Sequence, residues 1–122
     1  MASLESIMTG ALKALVTNAD GSFRVYADIA PANVVKPYIT YQSVGGQDET
    51  TFDGPDTLQN SRMQVNVWST TRVATSALMK QVRQALTAAP VSGTPIGSAV
   101  SGYEDDTKLY GSRLDVSIWY QD

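Results

Sequence analysis

At 122 residues, 43% of them hydrophobic, the chain is sized for one domain over residues 1–122, and a domain of this length buries about two thirds of the surface its unfolded form exposes. It has no cysteine, which excludes disulfides, thiolate metal sites and thiol nucleophiles, and no histidine, which removes the commonest general acid/base and the commonest metal ligand. Nine basic against twelve acidic side chains, a formal charge of -3, argue against a protein whose main work is gripping phosphates over a large surface.

No apolar run approaches the roughly 18 residues needed to cross a bilayer, and the opening MASLESIMTGALKAL lacks the basic start and long apolar block of a signal peptide. The expectation is a soluble chain, neither exported nor held at a membrane. Leu4, Ile7, Met8, Ala11, Leu12 and Leu15 recur at helical spacing behind Ser3, a suitable N-cap, and Asn18, Asp20 and Gly21 end that helix. FRVYADI and, beyond Pro31, PYITYQSV are short and rich in β-branched and aromatic residues, so both read as strands. Residues 45–61, GGQDETTFDGPDTLQNS, show no periodicity and read as a long projecting loop.

RMQVNVW then alternates as a strand, and a helix begins at Thr70 or Thr71 with Val73, Ala74, Ala77, Leu78, Val82, Ala85 and Leu86 as its expected buried stripe, ending at Pro90. VSGTPIGSAVSG, residues 91–102, reads as a linker plus a weak strand running into Tyr103, and residues 108–120 form the strongest strand signal in the chain. Short connections such as 30–37 favour antiparallel neighbours, and two amphipathic helices need one sheet face to cover. The expected class is α+β: an antiparallel or mixed sheet of four to five strands with two helices packed on one face.

Chemistry finds little footing. Neither GxxxxGK[ST] nor GxGxxG occurs, GSAVSG at 97–102 does not fit GxSxG, and Ser76 and Lys80 are four apart where serine–lysine enzymes use three. The acids of the long loop, or Glu104, Asp105 and Asp106, do not follow an EF-hand spacing and read as solvated loops rather than a cation site. The expectation is a protein that is not an enzyme and needs no metal or other cofactor. Arg72, Lys80 and Arg83 share one exposed helix face; it is either an ordinary solvated face or a basic stripe for an acidic partner, in which case the acidic loop of another copy suits the overall charge better than DNA.

Two tryptophans break the strand alternation. Met63, Val65 and Val67 face one way and Arg62, Gln64 and Asn66 the other, yet the next residue on the polar side is Trp68; Trp119 follows Arg113, Asp115 and Ser117 in the same manner. Either the 91–107 segment or the long loop folds over them, or they mark a partner interface, where tryptophan is enriched.

VYADIAP at 25–31, PYITYQ at 37–42, RMQVNVWSTTRVATSALMKQVRQAL at 62–86 and YGSRLDVSIWY at 110–120 together resemble the tail-completion family of long-tailed bacteriophages, the tail-terminator or head-to-tail joining proteins. The specific parts are Tyr26, Asp28 and Pro31 at a strand end, Pro37-Tyr38 at a strand start, and an Arg-led strand ending in Val-Trp ahead of an Ala-rich helix. The resemblance implies a virion protein, built in the bacterial cytoplasm, that sits as a homo-oligomeric ring of about six copies on the head-proximal end of the tail tube. There it would meet the tube protein on one side and the head connector on the other, with DNA passing through unbound. On that reading Trp68, Trp119, Arg72, Lys80 and Arg83 are interface candidates, and Asp48, Glu49, Phe52, Asp53 and Asp56 belong to a loop for the lumen or the stacking surface. The alternatives are another neck adaptor between head and tail, or a small cytoplasmic binding module unrelated to virions.

Overall fold

The computed structural model describes residues 3–46, 50–51, 54–55 and 58–121. Helix α1 (Leu4–Leu12) is capped as expected, the Ser3 hydroxyl accepting from the Ser6 amide, and tightens into a 3-10 turn at Lys13–Leu15. Strands β1 (Val25–Ala27) and β2 (Tyr38–Ser43) follow, then a two-residue pairing of β3 (Thr50–Thr51) with β4 (Gly54–Pro55), the long strand β5 (Leu58–Ser69), helix α2 (Arg72–Thr87), and the hairpin of β6 (Thr94–Glu104) and β7 (Leu109–Gln121). The main sheet runs β1-β2-β5-β7-β6. It is mixed, with two helices, and the α+β class holds.

The core lies on one side of this sheet. Ile39, Met63, Val65, Val67, Leu114, Val116 and Ile118 point toward Met8 and Leu12 of α1 and Leu78, Met79, Val82 and Leu86 of α2, all of them buried. Their strand positions follow the period of two read from the sequence, because successive side chains leave a strand on opposite faces.

Four expectations need correction. β1 and β2 are parallel, Val25 opposite Ile39, not antiparallel; β1 is only three residues long, so the chain has about 10 Å to retrace, a distance residues 28–37 span without a helical crossover. The buried stripe of α2 is Thr75, Leu78, Met79, Val82 and Leu86, while Ala74 and Ala77 are exposed and Val73 is 81% exposed. Thr75 sets that rotation: its hydroxyl donates to the Thr71 carbonyl at 2.7 Å and also lies 3.2 Å from the Tyr110 carbonyl of β7. It satisfies a buried polar group and turns Met79, rather than Val73, toward the sheet. Residues 45–61 are not all loop, since β5 begins at Leu58 and pairs with β7 from Leu58↔Gln121 onward. The strand expected to run into Tyr103 is present but longer than the linker-plus-weak-strand reading of 91–102 gave it: β6 is an 11-residue edge strand.

Candidate interaction surfaces

The sheet has a second face, opposite the helices. Direct cross-strand partners share a face, so two rows can be followed across it: Tyr38, Trp68, Gly111 and Gly102; then Tyr26, Thr40, Asn66, Arg113 and Val100. Further along come Gln64 opposite Asp115, Arg62 opposite Ser117 and Asn60 opposite Trp119. Both tryptophans are on this face, as the broken alternation requires.

The structure does not bring them together. Trp68 lies over Gly111, eight residues before Trp119 on β7, which puts the two rings at opposite ends of the face, roughly 27 Å apart at strand rise. Between them the surface is polar, held by Arg62, whose Nε and Nη2 reach the same Asp115 oxygen at 2.8 and 2.7 Å, and by a Gln42–Gln64 amide contact at 3.3 Å.

The two rings also differ in surroundings. Trp68 is half-buried, and its ring occupies the space a side chain on Gly111 would need: a Cβ there would come within 2.8 Å of the indole. A shallow hollow of about 240 Å³ opens beside it, lined by Asn66, Val100, Tyr103, Glu104 and Arg113 among others. Trp119 is 41% exposed. The 91–107 segment does not fold across either of them; as β6 it extends the sheet sideways.

Tyr26 and Tyr38 join this face and were not among the interface candidates, although the signal was present: each adjoins a buried residue, Val25 and Ile39, and so takes the opposite side. Burial, with the negative charge of Glu104, pushes the Tyr38 hydroxyl above its usual range. Tyr41, on the core side, is also pushed up, chiefly by burial, with Glu5 and Asp28 adding to the shift and a hydrogen bond with Thr9 opposing it.

A different surface runs beside α2. Arg72 and Ser76 border a hollow with Tyr103 and Tyr110, and Lys80 and Arg83 border the next one with Ala99, Ser101 and Ser112. The three basic residues, eight and three apart in sequence, therefore line one groove between α2 and the edge strand β6. All three are exposed, and among the described residues none makes an ion pair. At the far end of the hairpin Glu104 accepts from the Thr107 hydroxyl at 2.7 Å, and Asp105 stands 3.9 Å from Lys108 with both side chains open to solvent. Among the described residues no group of three or more acidic side chains is placed to hold a metal ion, and no helix is long and apolar enough to cross a membrane. Asp48, Glu49, Phe52, Asp53 and Asp56 lie outside the described residues.

The sequence matches the family model described as Tail completion protein gp17 over residues 8–121. No curated protein matches it. Among solved structures, a chain of the "Virion of native gene transfer agent (GTA) particle" shares the fold with a TM-score of 0.61 at 16% identity, over 98% of this chain and 96% of that one. The family match spans nearly every element described above, from within α1 to the end of β7: the chain belongs to the Tail completion protein gp17 family and is a structural protein of the phage virion tail.

Proposed function

We propose that this protein caps the head-proximal end of the tail tube as a ring of about six copies, ends tube growth there and presents the surface on which the head connector docks. What supports the reading, beyond the family, is one observation: a whole sheet face stands opposite the helices with a tryptophan at each end and hydrogen-bonded polar residues between. An apolar spot rimmed by polar groups is the usual form of a partner contact, and two such spots on one face suit a subunit that meets more than one neighbour.

The partners are further copies of the chain, the tail tube protein and the head connector. DNA passes through the ring without specific binding, consistent with the formal charge of -3, since like charge keeps phosphates from the wall. The acids of the segment read from sequence as the 45–61 loop, Asp48, Glu49, Asp53 and Asp56, with Phe52, belong to the lumen or the stacking surface. The role is assembly rather than catalysis, because histidine and cysteine are both missing and no phosphate-cradling loop is present.

Sedimentation velocity of the purified protein, alone and with bare tail tubes, tests the reading. Co-sedimentation at a few copies per tube, with elongation halted, is the expected result, even if the free protein is a monomer. A chain that stays slow beside tubes that keep growing would assign it instead to an adaptor elsewhere in the neck.

A further inference from the structure

The Lys80–Arg83 end of the basic groove and the acidic hairpin end belong to one molecule and stand apart along β6, with Arg72, beside Tyr103, between them. Lys80 and Arg83 border a groove whose other wall is β6 at Ala99 and Ser101. β6 runs on from Ser101 to Glu104, roughly 10 Å of extended chain, before the turn that carries Asp105 and Asp106, and among the described residues neither Lys80 nor Arg83 forms an ion pair with these acids. The acids stand at the end of that same wall, and a strand paired along its length cannot turn back into the groove it forms.

β6 supplies the second observation. It is an edge strand, exposed along almost its whole length, with Val100 55% and Tyr103 50% exposed. Its first half carries the usual guards against edge pairing, Pro95 and a bulge between Ile96 and Val100 in which Gly97 takes a φ of 76°. Its second half, Val100–Glu104, pairs regularly with β7 and has no guard until Glu104. That unguarded half is also the half beside the basic groove.

We propose that in the assembled ring the acidic end of one copy's β6–β7 hairpin, Glu104, Asp105 and Asp106, seats in the next copy's groove between α2 and β6, against Lys80 and Arg83. The inference rests on the ring reading above. The occupant is a second copy because the complement of the groove is already present on the same chain, and because a net acidic protein has little basic surface to spare for nucleic acid. Donor and acceptor surfaces differ, so the contact is head-to-tail, the type that closes into rings.

Charge exchange tests it on bare tail tubes, with bound copies counted by co-sedimentation. Lys80→Glu/Arg83→Glu and Asp105→Lys/Asp106→Lys are each expected to lose about tenfold or more in tube-bound copies. An equimolar mixture of the two should recover them, because alternating copies then meet opposite charge at every contact. All four positions are exposed, so the urea midpoints of both variants should match wild type. If both variants bind like wild type, or the mixture binds no better than either alone, the inference is overturned and the ring reading stands. A wild-type chain that never gathers on tubes overturns the ring reading and the inference together.

Discussion

On β5, Met63, Val65 and Val67 are buried beneath the two helices, while Arg62, Gln64 and Asn66, each one residue away, point to the side the helices leave uncovered. The same split continues on β7, where Leu114, Val116 and Ile118 alternate with Arg113, Asp115 and Ser117. One face obtains its energy from removing apolar surface from water, about 25 cal/mol per Å². The other has polar side chains satisfied by each other and two apolar rings that a lone subunit does not enclose. On the reading proposed above, the first face folds the subunit and the second meets its neighbours, so substitutions on the two should separate stability from assembly.

The largest separation is expected on the covered face. Ile118→Ala removes a fully enclosed side chain from between α2 and the sheet, and large-to-small changes at such positions cost about 2–5 kcal/mol. Urea titration of the isolated protein should show a lower midpoint with little change in slope. Loss of tube binding should appear only under conditions where the subunit itself is unfolding.

Why some of this was legible in sequence follows from how each feature is encoded. The core strands carry their signal locally: alternating Val, Leu and Ile on 63–67 and 114–118 leave one choice of inward face. The helix N-caps Ser3 and Thr71 are local too, each an oxygen placed ahead of an apolar-periodic run. The rotation of α2 was not legible, because Ala and Val on several sides of the helix make the stripe ambiguous, and Thr75 decides it through a carbonyl of β7 thirty-five residues away. β6 was legible only as a weak strand for a related reason: TPIGSAVSGYE is small and glycine-containing, and it becomes strand by pairing with β7 rather than by burying a face. On the open face, parity put Trp68 and Trp119 on one side, but only register could separate them. Register also supplied Tyr38 beside Trp68, and Gly111 beneath it.

The two tryptophans sharpen the comparison within the open face. Trp68 packs on Gly111 and is half-buried, so Trp68→Ala should cost the free subunit about 1–2 kcal/mol and weaken tube binding as well. Trp119→Ala, at 41% exposure, should leave the unfolding free energy from urea titration within about 0.5 kcal/mol of wild type and reduce tube binding alone. Gly111→Ala provides a control that keeps both indoles, since its Cβ would displace the Trp68 ring and reproduce part of the Trp68→Ala phenotype without touching Trp119. If Trp119→Ala lowers stability as much as Trp68→Ala, the open face serves folding after all.

The smallest effect concerns the ion pair midway between the rings. Arg62 and Asp115 are well aligned at 2.7 Å, but the arginine side chain is 47% exposed, and ion pairs open to water contribute about 0.2–1 kcal/mol because solvent and salt screen the attraction and two long side chains must be held still. Arg62→Ala should therefore lower the unfolding free energy by no more than about 0.5 kcal/mol at physiological salt, and the difference should shrink further at 1 M salt, where screening acts within about 3 Å. Asp115 is the more enclosed partner, with 16% of its side chain exposed, so removing the arginine leaves a carboxylate with less water than a free one. The residual cost at high salt measures that desolvation, and comparing it in free and tube-bound protein tells whether assembly closes over this face. A cost that grows on the tube means a neighbour excludes water there; an unchanged cost means the middle of the face stays wet and only its aromatic ends make contact.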